Sequence, residues 1–472
     1  MMMTEAEALE MLTREDPAAA GHAKAALRWL TSDEGLDTIS LLRLQEFLWY
    51  VLPSTWPLTT AGHLEAARAL GRLLALAGLD RYAEICSAPE TERIIAAYGC
   101  AHEEGIAAYT EAVEASNVAP PDTDLLAWSS VMGPEERAAY DACAAAVELA
   151  VTSGELRVGA SGWRTKRAAL VDRWLTGHTL TGHTPGGPGG HAPPVPSLPG
   201  MPDAGDHADT SRPSTDTWLS RISTERIDEW THGRPGERAK LARHIVPRLL
   251  EPPMLPGEPL PTLRWLLHHA DAGLRLTARH YIAPPVVGEA VELFGWREQL
   301  TGRRRQELDV FPLHTLRSLA HREMGAIRRS GTSLVLTRTG RLMAADAAVR
   351  WHIGTAALIG QDDGPVPDFP VAVREAALLV TLTCGPLSHD DLAGKLTDLH
   401  AGEGWTSRSG SSLAAAVRNE IHLLRHRLRA LQLIEDGSAF AAPLMLTETG
   451  TAAALSALLA RALRPRHQPA FS

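Results

Sequence analysis

Two segments of this 472-residue chain read almost alike: LVLTRTGRLMAAD at 334–346 and LMLTETGTAAALS at 444–456. Each is a short β-prone run, then Thr-x-Thr-Gly, then an Ala/Leu-rich stretch of helical character. The same strand-to-helix joint written twice predicts two copies of one supersecondary unit in the second half of the chain.

The residues around each joint support that expectation. In the first copy, at about 262–358, Leu263, Leu266 and Leu267 open one helix, and 286–294 follows Pro284-Pro285 as a second. Leu313, Leu316, Leu319 and Ala320 line a third. AIRR (326–329), a Ser330-Gly331 turn and SLVLT (333–337) then read as a two-stranded ribbon. In the second copy, at about 371–463, a helix at 373–382 precedes one capped by Ser388, with Asp391 in a capping-box position. A long third helix (413–433), strand material at 440–447 and a closing helix (451–462) complete it.

Helices followed by a β-ribbon resemble a winged helix-turn-helix. REAALLVTLTCGPLSHDDLAGKL followed by AVRNEIHLLRHRLRAL resembles the DNA-binding domain of two-component response regulators, although no receiver domain is readable in 1–176. The two LTxTG endings look more like the wings of MarR- or PadR-type regulators. The fold class expected is mainly α: a helical N-terminal domain (1–176), a Gly/Pro/His linker (177–217), and two tandem winged-helix-like units within 218–360 and 361–472.

The third helix of the last unit carries the clearest pattern. Val417, Ile421, Leu424, Leu428 and Leu431 step by four and three, forming one buried stripe. Arg418, His422, Arg425 and Arg429 follow the same steps on the adjoining flank. An arginine fork suits guanine edges and phosphate oxygens, so this flank is a candidate for the major groove. SRSGSS (407–412) would add phosphate contacts. Glu420 would oppose them. Arg328, Arg329, Arg338 and Arg341 on the first wing are candidates for phosphate or minor groove. The alternative is a solubilising arginine surface.

Charge is unevenly spread. Residues 1–176 carry 14 basic and 26 acidic side chains, net −12, whereas 297–350 carries 11 and five, net +6. The regions expected to meet double-stranded DNA are therefore 297–350 and 405–430, with 1–176 left to a protein partner or an intramolecular contact. Residues 4–175 read as helices throughout, with Leu41, Leu44, Leu48 and Val51 as one stripe and Leu64 to Ala77 as another. Trp49, Trp56, Trp128 and Trp163 are expected as core anchors. The segment 177–217, dominated by Gly, Pro, Ser, Thr and Asp, holds too little apolar surface for a core.

Arginine outnumbers lysine 42 to four, which with the heavy alanine use suggests a GC-rich genome. Four cysteines without CxxC spacing fit buried thiols in a reducing cytoplasm. No signal peptide or membrane span is readable. GxxxxGK[ST], HExxH, GxSxG and a Rossmann glycine fingerprint are all missing from the sequence. His268-His269 and the His314/His321 pair lack compact metal-ligand spacing. No catalytic residue, metal or cofactor is assigned.

LQEFLWYVLP (44–53), LDRYAEICSAPETERIIAAY (79–98), LRWLLHHADAGLRLT (263–277) and LVLTRTGRLMAAD resemble an actinobacterial family of uncharacterised proteins. The back half is also similar to plasmid-borne open reading frames. These likenesses imply no catalytic residues. The function expected is a non-enzymatic DNA-binding regulator. A protein-interaction scaffold that uses winged helices as packing units is the alternative.

Overall fold

The computed structural model describes residues 3–31, 35–177, 217–251, 257–299, 306–362, 368–406, 412–435 and 443–466. The expected linker, apart from its two end residues, lies outside them, as do 407–411 of the SRSGSS run and 440–442 of the second ribbon. The chain divides into two compact units, Met1–Glu225 and Arg226–Ser472. Among the described residues, no single helix is long and apolar enough to cross a membrane.

The first unit is helical, as its periodicity implies: α1 (Glu5–Glu15), α2 (Pro17–Thr31), α3 (Leu41–Glu46), α4 (Leu52–Thr55), α5 (Thr60–Leu76), α6 (Asp80–Cys86), α7 (Pro89–Cys100), α8 (His102–Ser116), α9 (Pro134–Thr152) and α10 (Trp163–Gly177). A π-helical turn, Phe47–Val51, joins α3 to α4. Thr4 opens α1 with a capping box, and Ser40 caps α3. Phe47, Leu48, Leu70, Leu74, Ile94 and Ile95 form the centre of one core. Trp49 joins it with its indole N–H on the Thr91 hydroxyl at 2.8 Å. Trp128 belongs to a second cluster with Val147 and Leu175, while Trp56 and Trp163 are only partly buried.

Two carboxylates tie this unit together. Glu148 on α9 accepts from the Leu41 N–H at 2.7 Å and the Tyr82 hydroxyl at 2.9 Å. Glu225 accepts from the Glu135 and Glu136 N–H groups, at 2.8 and 3.0 Å, and so caps the start of α9 from a distant point in the sequence. A Cβ at Gly133 would run into that carboxylate, which accounts for the glycine before Pro134.

The chain passes between units within α11 (Trp218–His232), and α12 (Gly236–Leu250) follows. Next come α13 (Pro261–Asp271), β1 (Leu274–Arg275), α14 (Pro284–Phe294) and α15 (Phe311–Ser318), which runs into a π-helical turn at Leu319–Glu323. β2 (Ile327–Ser330) and β3 (Ser333–Leu336) form the expected ribbon, and α16 (Arg338–Ala345) and α17 (Ala347–Ala356) close the first repeat. The second repeat contains α18 (Phe369–Cys384), α19 (His389–Gly402), α20 (Leu413–Ala430) and α21 (Glu448–Ala462).

The ribbon has a third member that the periodicity did not suggest. The sheet order is β1-β3-β2, antiparallel throughout, with Leu274 opposite Leu334 and Arg328 opposite Val335. The second repeat has a reduced counterpart. Leu444 N–H donates to the Leu387 carbonyl at 3.0 Å, and Ile434 and Leu446 make a single antiparallel bridge. Both repeats share one continuous hydrophobic core, from Ile227 to Ala462, rather than forming separate ones. α17 packs on α21, α15 on α20, and α12 on α18.

The duplicated LTxTG joint has a physical reason. Thr337 caps α16 by accepting from Gly340 N–H at 3.0 Å, and Thr447 caps α21 by accepting from Gly450 N–H at 2.9 Å. The Thr337 and Thr447 N–H groups in turn donate to the carbonyls of Ala326 and Leu433, at 2.9 and 3.1 Å. Those same carbonyl oxygens lie against the glycines, where a Cβ would overlap them. The cap therefore selects threonine, and the carbonyl beneath the third helical position selects glycine. Gly340→Ala and Gly450→Ala are each expected to cost about 2 kcal/mol or more, because the clash is with backbone that cannot swing aside. Urea unfolding checks this. Unchanged midpoints would refute the account of the motif.

Candidate nucleic-acid interface

The stripe on α20 is buried as read, with Val417, Ile421, Leu424, Leu428 and Leu431 almost fully covered. Its flank is not the solvent-facing surface that the arginine spacing implied. Arg425 is 4% exposed. Arg427 donates to the Ala357 carbonyl at 2.6 Å and pairs with Glu323 at 2.6 Å. Glu420 is turned inward on Arg374 at 3.2 Å and so does not oppose a phosphate. α20 is flanked on two sides: α15, the third helix of the first repeat, packs along it, and so does α19, whose His389 lies within electrostatic reach of Arg425 and His422. Phe311 of α15 lies against His426, with ring centroids 5.7 Å apart. An approach between helices a hundred residues apart leaves no mark in the periodicity of either.

The histidines of α20 sit in this seam. His422 and His426 are partly buried, their Nε2 atoms 2.9 Å apart, so one ring holds the proton and the other accepts it. Burial pushes the His426 pKa down, and the charges of His422, Arg429 and Arg425 add to the effect, reaching about 4. Burial and Arg425 depress His422 in the same direction. Arg429 is partly buried. Arg418, one turn from the N-terminus of α20, remains exposed beside Asp390 at 3.9 Å. Of the four candidates on this helix, only Arg418 keeps the position expected.

The first repeat keeps all of its candidates outside. Arg328 and Arg329 on β2, and Arg338 and Arg341 on α16, are exposed. None of the four meets a carboxylate among the described residues. Alternation along the strands sorts the sheet into two faces. Leu274, Leu334, Leu336 and Ile327 face the core. Arg275, Arg328, Ser330, Ser333 and Val335 share the other face, as the pairings Arg275–Ser333, Arg328–Val335 and Ser330–Ser333 require. With β3 between them, Arg275 and Arg328 stand two strand spacings apart across the sheet, about 10 Å, and two residues apart along it, about 7 Å. Arg279, in the turn after β1, is exposed as well. Arg275 and Arg279 escaped the sequence reading, although Leu274-Arg275-Leu276 alternates apolar, charged, apolar, the signature of a half-buried strand.

Other buried charge is paired off inside the fold. Burial would raise the Glu375 carboxyl, but Arg234, Arg238 and Arg461 outweigh it and hold the group below the usual carboxylate range. Arg234 lies at 2.8 Å, and the Trp230 indole N–H also donates to Glu375 at 2.9 Å. Glu307, fully buried, takes the Ile282 N–H, His314 and Arg317. His321 meets the Ile327 carbonyl, and His269 meets Glu289. Among the described residues no three His, Cys, Asp or Glu side chains converge as a metal site would require. No family model, curated protein or solved structure matches the chain.

The seam histidines give a pH dependence with a definite sign. An unfolded histidine binds its proton near 6.5, the folded His426 only near about 4. Between those values the unfolded state holds more protons, so the contribution to stability is intact above 6.5 and is lost as pH falls toward 4. His426→Gln should flatten this acid limb in urea unfolding recorded at several pH values. Parallel curves for variant and parent would contradict the assignment.

Proposed function

We propose that the second unit is a pair of winged helix-turn-helix repeats that binds double-stranded DNA through the first repeat. The contacts are Arg275 and Arg328 on the outward sheet face, with Arg338 and Arg341 on α16; Arg329, opposite Leu334, is exposed at the edge of the other face. The order α13, β1, α14, α15, β2, β3 and the sheet order β1-β3-β2 support this reading, in which β2 and β3 serve as the wing. The observation that carries the reading is the set of exposed arginines without a carboxylate partner among the described residues. Arginines held out on a sheet can pair with phosphate oxygens without first breaking an internal ion pair. Arg425 and Arg427 serve the protein core in this reading, and Arg418 is an accessory contact. The acidic first unit acts as a regulatory or protein-binding module.

A second reading has its own observation. α15 and α20 pack on each other, which takes part of both third helices away from a groove and favours repeats that dock proteins.

Fluorescence anisotropy of the full chain on duplex DNA across a salt series separates the two. DNA binding predicts affinity that falls steeply with salt. Arg275→Ala and Arg328→Ala each take one cation away from a phosphate, and each should lower the log–log slope by about 0.9, whereas Arg329→Ala, on the other face, should change it less. No measurable binding at about 50 mM salt, where phosphate pairing is strongest, would favour protein docking.

A further inference from the structure

We infer that the duplex is bound without regard to base sequence. This rests on the DNA reading above and concerns what the protein recognises in the duplex. Base edges are read in the major groove by an element that projects into it, most often a helix carrying several polar side chains on its outer face. Here the two third helices pack on each other, which leaves less of either for a groove. Phe311 of α15 covers His426 of α20. Arg425 is buried, and Arg427 is anchored on Glu323 and the Ala357 carbonyl. Of the polar residues of α15, His314 and Arg317 bond the buried Glu307 carboxylate, His314 with its ring still half exposed. Of the polar residues of α20, only Arg418 and Asn419 are exposed.

The exposed cations sit instead on the sheet and at the start of α16, flanked by small hydroxyl residues. Ser333 and Ser330 lie in register with Arg275 on the same face, and Arg328 stands two residues along β2 from Ser330. Arginine and serine on a short, twisted sheet match the sugar-phosphate backbone, which is the same for every sequence. The partner is thus duplex DNA recognised by its charge and shape.

The test is anisotropy of the full chain on several duplexes of equal length and scrambled sequence, backed by selection from a random-sequence library. The expected result is affinities agreeing within about threefold, with no enriched motif. Reading of bases would separate matched from mismatched sites by about tenfold or more per altered pair. Arg328→Ala should weaken every duplex by the same factor, and Arg418→Ala should leave the ranking of duplexes unchanged. An enriched motif, or one duplex bound more than tenfold tighter with the preference lost in Arg418→Ala, would overturn the inference while leaving DNA binding in place. Binding to none of the duplexes would overturn the DNA reading, and this inference with it.

Discussion

Three arginines close on the carbonyl end of α17, and the arrangement of the second unit follows from them. Arg427 of α20 donates to Ala357 O at 2.6 Å, Arg374 of α18 to Ile359 O at 2.7 Å, and Arg464, just beyond α21, to Gly360 O at 2.7 Å. Ala357 is the C-cap of α17, whose carbonyl has no partner within the helix and carries partial negative charge. Ile359 and Gly360 follow in the turn, so guanidinium groups satisfy the whole run. α17 ends the first repeat, and each arginine comes from the second. The clamp therefore joins the repeats, and it sets α20 with one flank against α15. Glu323 and Glu420 balance Arg427 and Arg374, so the charges enter the interior as hydrogen-bonded pairs.

Arginine thus has two roles in one chain. Inside, Arg234, Arg238 and Arg461 surround Glu375, and Arg374, Arg427 and Arg464 hold α17. Outside, Arg275, Arg328, Arg329, Arg338 and Arg341 remain in solvent. The inner set supports the fold by satisfying buried acceptors. The outer set supplies the cations on which the DNA proposal depends. Counting basic residues along the chain adds the two together, although only the second is available to an anion.

Much of the architecture was legible in the residues. The Thr-x-Thr-Gly joint folds alike at Thr337 and Thr447 because its chemistry is local: a cap on one side of the turn and a carbonyl under the glycine on the other. The stripe from Val417 to Leu431 gave the inner face of α20, since an apolar period of 3.6 reports burial directly. The ribbon at 326–337 and the helical first half were readable for the same reason. The position of Arg425 was not, because a helix sequence shows which face is apolar and leaves open what covers the next one. α15 and α19 both pack on α20, and the α17 clamp beside them draws its donors from α18, α20 and the segment after α21. β1 was missed because two residues are too few for alternation to stand out, and Arg275 was missed with it.

The account stands on α20 holding its arginines inside while the first repeat holds its own outside. Arginine-selective dicarbonyl labelling of the full native chain, read residue by residue by mass spectrometry, measures that division with no assumption about a ligand. Arg275, Arg328, Arg338 and Arg341 should be modified rapidly, and Arg374, Arg425 and Arg427 should stay protected until the chain is unfolded. Labelling of Arg425 and Arg427 as fast as Arg328 would contradict the seam, the clamp and the division of labour drawn from them.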